Sequence, residues 1–379
     1  MRPAIAPRVG QSSVIALVAL PLLLGLLLLV LLLFRTRDCM IELRNAGVAA
    51  SLAGCEDLAD DDLLGHQPDR IRSVLDRAAR SAAEVAHRNT IAGRRPELTP
   101  DDVTFGTLDR AVGGQFVPLH PNASTTDLSL VNAIEVTVRQ PGKSEVFTRV
   151  TALLDRSVIG FRPWSEKSAP VVPVALHADT DAEDHFGWND SCHRTDHDEW
   201  AFDRDQKRFV PGKDGLPEIR VRVGRQPTGR SEEVCGFPLV IGSSTPAESV
   251  DQIRSGLSTE ILTSPGLNGE FKLSEGASQP IGGIPDLFEG RMRDSAEQAF
   301  RALMLVGEPR AWPLFSGFDD DGRAVLIGFT AARVVAVERI SEGGLILTLQ
   351  PALLATPTAI TDPARPSGGR NVVKVRLAG

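Results

Sequence analysis

The stretch from Ser191 to Trp200, SCHRTDHDEW, holds the densest run of metal-ligand residue types in the chain. Upstream lie His177, Asp179, Asp181, Glu183, Asp184, His185 and Asp190, so four of the seven histidines fall in one short region. His193 and His197 are four residues apart, the spacing that puts a zinc-binding HxxxH pair on one helical face. Arg194 follows His193, where a metalloprotease carries the Glu that acts as general base. Asp179, Asp181, Glu183 and Asp184 suit a hard cation such as calcium, but the glycine-turned spacing of an EF-hand loop is absent. The segment therefore reads as a solvated loop insertion with no metal, in which His185, His193, His197 and Asp196 are the residues a divalent ion would use.

Motifs for other chemistries are missing. The chain has no GxSxG nucleophile elbow, no GxxxxGK[ST] phosphate loop and no GxGxxG. Ile281 to Pro285, the one Gly-Gly run near such a pattern, reads as a turn entering a helix. A non-enzyme without a cofactor is the expectation. Formal charge is -8 and Lys and Arg form no long run, so a nucleic-acid partner is not expected. Cys39 and Cys55, sixteen residues apart on one helix, would be separated by about 24 Å, too far to bridge. Cys192 and Cys235 flank the strand-like EIRVRV and form the candidate disulfide if the body lies outside the cytoplasm.

The elements that must position these residues begin at a membrane. Val14 to Phe34 has no charged or strongly polar residue in 21 positions, and as a helix it covers about 30 Å, the thickness of a hydrocarbon core. A cleaved signal peptide has a shorter apolar run and a small-x-small cleavage site, whereas here Arg35, Thr36, Arg37 and Asp38 follow. Residues 1-13 are thus a cytoplasmic tail and residues 14-34 a transmembrane helix in contact with the lipid bilayer. Leu43, Ala46, Ala50 and Ala53 continue the helical spacing as an Ala-rich stalk to about Leu58, where Asp60, Asp61 and Asp62 break it. Pro68 to Asn89 repeats the pattern: Ile71, Val74, Leu75, Ala78, Ala82, Val85 and Ala86 form one apolar face.

Strand signals follow at Val103 to Leu108, Ala133 to Arg139 and Val146 to Leu154. The fold class is therefore α+β, with a helical hairpin packed on a small antiparallel sheet over residues 35-161. Three prolines mark residues 162-173 as a linker. A second mixed α+β domain occupies 174-356, with helices over Ala247 to Leu262 and Arg291 to Val306 and strands at Glu218 to Val223, Arg310 to Ser316, Ala324 to Glu338 and Gly344 to Leu349. The Pro- and Gly-rich tail, 357-379, reads as loose.

The amino-terminal layout resembles that of TadG-like Flp (tight adherence) pilus-assembly proteins. Gly10 precedes the span, Pro21 lies inside it, and the stalk from Leu43 to Gly54 matches an LQNAADAAALAGA-like module at Asn45, Ala46, Ala49, Ala50, Leu52 and Ala53, with Val48 replacing the usual Asp. DVTFGTLD at 102 to 109, NAIEVTVR at 132 to 139, GFRP at 160 to 163, and the later IGFTAARVVAV and LTLQPA resemble large bacterial, planctomycete-type relatives. These motifs are structural, and no catalytic residue carries over. The resemblance implies a single-pass protein of the bacterial inner membrane, body extracytoplasmic, with pilus-assembly or envelope proteins as partners. Five residues after Gly10 stands Ile15 rather than the Glu of prepilins, so the anchor is expected to be retained. The alternative is a membrane-tethered extracytoplasmic module binding a divalent ion or polysaccharide, unrelated to pili.

Overall fold

A computed structural model describes residues 9–65, 67–109, 114–120, 123–179, 186–194, 197–224, 233–242, 245–273, 278–279, 287–341, 343–364 and 371–378. Helix α1 runs unbroken from Val9 to Asp57 through Pro21. Its two halves face different surroundings: Leu22 is 68% exposed and Leu43 is fully buried. From Ala19 onward it is long and apolar enough to cross a membrane. Burial begins at Cys39, about 7 Å along the axis from Phe34.

After a tight turn, α2 (Pro68–Arg88) returns along the stalk, started by Pro68 in the first helical turn. A side-chain oxygen of Glu42 accepts the Ala92 N–H at 2.7 Å, while Gly54 faces Ala78 and Ala82, so the two helices are antiparallel. They approach closely because Gly54 has no side chain: a Cβ there would lie 3.0 Å from the Ala78 carbonyl and 2.6 Å from Ile134 Cδ1. The predicted apolar face is the buried one, with Ile71, Val74, Ala78, Ala82 and Ala86 all in the core.

This hairpin covers one face of a sheet containing β1 (Val103–Leu108), β2 (Phe116–Pro118), β3 (Ala133–Gln140) and β4 (Lys143–Asp155); the short helix α3 (Thr125–Ser129) lies between β2 and β3. Alternation on β3 sends Ile134, Val136 and Val138 toward the helices.

The chain then passes through β5 (Val158–Phe161), β6 (Val174–His177), the helical turn α4 (Trp188–Ser191), the hairpin β7 (Trp200–Asp203) and β8 (Arg208–Pro211), β9 (Ile219–Val223) and β10 (Val234–Pro238). Helices α5 (Pro246–Ser255) and α6 (Thr259–Leu262), the short strands β11 (Phe271–Lys272) and β12 (Ser278–Gln279), and helix α7 (Gly290–Val306) follow. The remaining strands are β13 (Arg310–Phe318), β14 (Ala324–Arg339), β15 (Leu345–Pro351), β16 (Leu354–Ala355), β17 (Ala359–Thr361) and β18 (Val372–Leu377).

Strand β14 is long enough to pair with β13 through its first half and with β15 through its second. The order β14-β13-β6-β10-β9-β15 therefore returns to β14, and the distal sheet closes on itself. Val174, Leu176, Val221, Trp312 and Leu347 share one core with Phe300 and Leu303 of α7 and Ile253 of α5. The Phe300 ring stacks on Trp312 with centroids 6.2 Å apart. On its other face, Ala175, Phe315 and Phe329 pack with Phe161 of β5 and Phe271 of β11, members of the three-stranded sheet β11-β5-β17.

Three expectations are corrected. Residues 162-173 are not a free linker: Ala169, Val171 and Val172 are fully buried, and Ala169 and Val171 form bridges to Leu257 and Ala311. Their prolines hold the backbone extended while the apolar residues between them enter the core. The described parts of the tail, 357–364 and 371–378, are not loose either. β17 pairs with β5, and β18 pairs with β4, adding an edge to the amino-terminal sheet with Val373, Val375 and Leu377 against the helices. Proline and glycine around it masked the period-two pattern of VVKVRL. The helix expected over Ala247 to Leu262 is two helices, α5 and α6. Gly256 divides them with φ +77, and a Cβ there would come within 2.1 Å of the Ala169 carbonyl oxygen.

Candidate functional site

Asp60, Asp61 and Asp62 do more than end the stalk. Asp60 caps the 3₁₀ turn Asp61–Leu63 by accepting the Asp62 N–H at 2.9 Å. Buried at 3% exposure, it is paired with Arg77 of α2 and with Arg204 in the β7–β8 turn. Asp61 is paired with Arg333 of β14 and accepts the Leu353 N–H at 2.6 Å. Arg70 lies 3.5 Å from Asp62 and donates to the Lys213 carbonyl at 3.3 Å. Arg333 is fixed further by the Gly307 carbonyl at 2.9 Å and by the Phe202 ring at 4.2 Å. Burial and the nearby Arg333 charge lower the Arg204 pKa. Asp60 and Asp61 thus fasten the amino-terminal module to the distal body directly, and Arg70, beside Asp62, adds a third tie.

Beyond this clasp, the β7–β8 ribbon overhangs the outer surface of β9, β15 and β14 beside the end of α7, enclosing an open cleft of about 680 Å³. Trp200 and Phe209 come from the ribbon, and Met304 and Leu305 from α7. A register shift between Val334 and Ala336 brings both Val335 and Ala336 to the cleft, as expected when a bulge re-aims neighbouring side chains. Charge enters through Glu199, Glu218 and Glu338 on one side of the balance and Arg208 and Arg220 on the other.

Glu218 is the most perturbed of these groups. It is 8% exposed and accepts N–H bonds from Glu199 at 2.7 Å and Trp200 at 3.2 Å, while the Gln350 Nε2 donates to it at 3.1 Å. Burial pushes its pKa up to about 7, and the charges of Asp198 and Asp214 add to the rise. Asp214, which also lines the smaller polar cleft beside the clasp, is raised to about 6, chiefly by burial. Gln350 Nε2 lies 3.2 Å from Asp214 Oδ2 and 2.8 Å from the Trp200 carbonyl, so one amide group serves both acids. A strongly perturbed acid opening into a cleft is the usual mark of a functional position.

Neither a family model, nor a curated protein, nor a solved structure matches this chain.

The segment that stood out in sequence is partly at this cleft. His197 lines it, and its carbonyl accepts the Glu218 N–H at 2.6 Å. His193 lies elsewhere, exposed just past the end of α4, so the HxxxH spacing does not place the two histidines on one helix. Asp179 accepts from Asn189 at 2.8 Å. His185 and Asp196, with Asp181, Glu183 and Asp184, lie outside the described residues. Among the described residues no three His, Cys, Asp or Glu side chains are grouped to hold a metal.

The candidate pair Cys192 and Cys235 is not brought together; the cysteines are thiols here. Cys192 packs against the core that contains Val234. Strand alternation turns Cys235 to the opposite face of β10, beside Arg222 and Glu233. Sequence reasoning missed Glu218 and Asp214. Their one local sign is an acid placed just before the alternating run IRVRV, next to the Asp214-Gly215 turn.

Proposed function

We propose that the protein is a single-pass, membrane-anchored assembly component of an adhesive-pilus or envelope machine of the TadG-like kind. It stands outside the cytoplasm of a bacterial inner membrane and acts by contact rather than by catalysis. The observation that carries this reading is α1 itself. One helix is apolar and exposed through Phe34, then becomes the buried spine of a folded module from Cys39. An Ala-rich stalk with small residues facing a second helix is what a rigid membrane mount requires, and the matches from Asn45 to Ala53 support the same assignment.

Deletion of the gene in the source bacterium tests the proposal, with surface pili counted by electron microscopy and adherence measured on a solid surface. Both should fall. The full chain should restore them, whereas a version whose residues 14-34 are replaced by a cleavable signal peptide should not. Normal pili and adherence in the deletion strain would refute the pilus assignment and leave the second reading, a tethered extracytoplasmic binding module, which the cleft at Glu218 favours.

A further inference from the structure

The charges around the cleft do not balance locally. Arg220 is already shared between Glu233 at 3.7 Å and Glu338 at 3.4 Å. Glu218 is held by neutral donors, and no described Lys or Arg pairs with it. Behind it stand two further acids. Asp198 accepts the Asp214 and Gly215 N–H groups at 3.1 and 3.0 Å, and Asp214 accepts from the Leu216 N–H and the Gln350 amide, with Arg70 the cation that acts on it. A buried carboxylate backed by two more, with no Lys or Arg among the described residues paired to it although Arg208 lines the same cleft, makes a negative focus at one end. The other end is apolar and open, with Leu305 at 77% exposure beside Met304 and the exposed Trp200.

We propose that this cleft binds a cation carried on an apolar stem, an alkylammonium or guanidinium of the kind a lysine or arginine side chain bears, with the charge at Glu218 and the stem across Leu305 and Met304. The ligand supplies the counter-ion that no described Lys or Arg provides, and binding draws the Glu218 proton off. The site goes beyond the membrane-mount reading and does not depend on it. Two sources present the same chemistry, a small free amine and a basic segment of a partner protein.

The pH response follows from the groups facing Glu218. Asp198 and Asp214 approach from the loops beside β7 and β9, and Glu199 and His197 from the loop before β7. Arg208 comes from β8, Arg220 from β9, Glu338 from β14, and the neutral Gln350 from β15. Because burial sets Glu218 near 7, a permanently charged guanidinium should bind about 10-fold more tightly at pH 8 than at pH 6.

The test uses the full chain in neutral lipid nanodiscs and calorimetric titration with four probes: n-butylguanidinium, the peptide Ac-Leu-Arg-Leu-NH2, and its citrulline and glutamate counterparts. The arginine peptide should bind at least about 10-fold more tightly than either counterpart, because only it offers a charge-assisted bond. Equal binding of butylguanidinium and the arginine peptide assigns the site to a small amine, and stronger binding of the peptide assigns it to a partner segment. Glu218→Gln should lose the arginine preference and its pH dependence, which separates the Glu218 proton from those of its neighbours. If that variant misfolds, Thr348→Lys decides instead, since the half-buried Thr348 lines the cleft and a lysine there would fill the counter-ion position from within. Equal binding of the citrulline peptide, an unaltered affinity in either folded variant, or no heat with any probe at millimolar concentration would overturn the proposal.

Discussion

Replacing Asp61 by Asn isolates the charge in the clasp. The side chains of Asp61 and Arg333 are 10% and 9% exposed, so the guanidinium left behind cannot recover its hydration. Asparagine keeps the size and can still accept the Leu353 N–H, so the loss is that of breaking a buried ion pair, ~3–5 kcal/mol. Asp61→Ala also strands the Leu353 N–H, adding ~1–3 kcal/mol. For a chain of this size a kcal/mol moves the melting temperature by roughly 1.3 °C, so the Asn variant should melt ~4–6 °C below the parent and the Ala variant lower still. The measurement is calorimetric melting of the full chain in detergent micelles. Hydrogen exchange at the Leu353 amide should accelerate in Asp61→Ala and much less in Asp61→Asn. Combining Asp61→Leu with Arg333→Met removes both charges and should recover much of the loss, because the desolvation penalty goes with the pair. An Asp61→Asn protein melting within about 1 °C of the parent, or a double variant no better than Asp61→Ala, would show that the pair does not hold the two modules together.

Further outcomes follow from the packing and the charges. Gly54→Val must push Ile134 and the Ala78 carbonyl aside and should cost ~1–3 kcal/mol in the same melting experiment; an unchanged stability would mean that α1 and α2 separate at little cost. Asp214 and Glu218, held near 6 and 7, bind more protons folded than unfolded between about pH 4 and 7, so their contribution to stability is present at low pH and lost as pH rises through that window. Glu218→Gln should flatten that slope, and an identical slope would refute it. Replacing His185, His193 and His197 together by Ala should shift stability by less than ~0.5 kcal/mol. A melting drop on chelator addition that disappears in the triple variant would instead reveal a metal. A reporter active only in the cytoplasm, fused at the carboxyl terminus, should be silent, and activity there would reverse the assigned orientation.

What could be seen in sequence was what depends on neighbours in the chain. The apolar run at 14-34 and the face of α2 are written in residues a few positions apart, and Val103–Leu108 is bounded as its alternation predicts. The clasp could not be seen this way. Asp61 meets Arg333 across 272 residues, and three aspartates in a row are indistinguishable from a solvated helix end until that partner is in place. The cleft shares this difficulty: Glu218 acquires its high pKa from burial under the ribbon and, secondarily, from the charges of Asp198 and Asp214. Conversely, the histidine-rich segment attracted notice by composition, which carries no information about where side chains point. His197 lines the cleft and His193 does not: α4 has already ended at Ser191, so it carries neither of them.

The pairing of β18 with β4 also sets an order of events during synthesis. Residues 143–155 leave the ribosome long before residues 372–377 exist, and at ~5–20 residues per second the interval is on the order of ten seconds or more. Throughout that time the amino-terminal sheet carries a free edge on β4, open to any other nascent chain. That edge must therefore be kept from pairing with the wrong strand until β18 arrives, and a chain stopped short of β18 would keep the edge open for good.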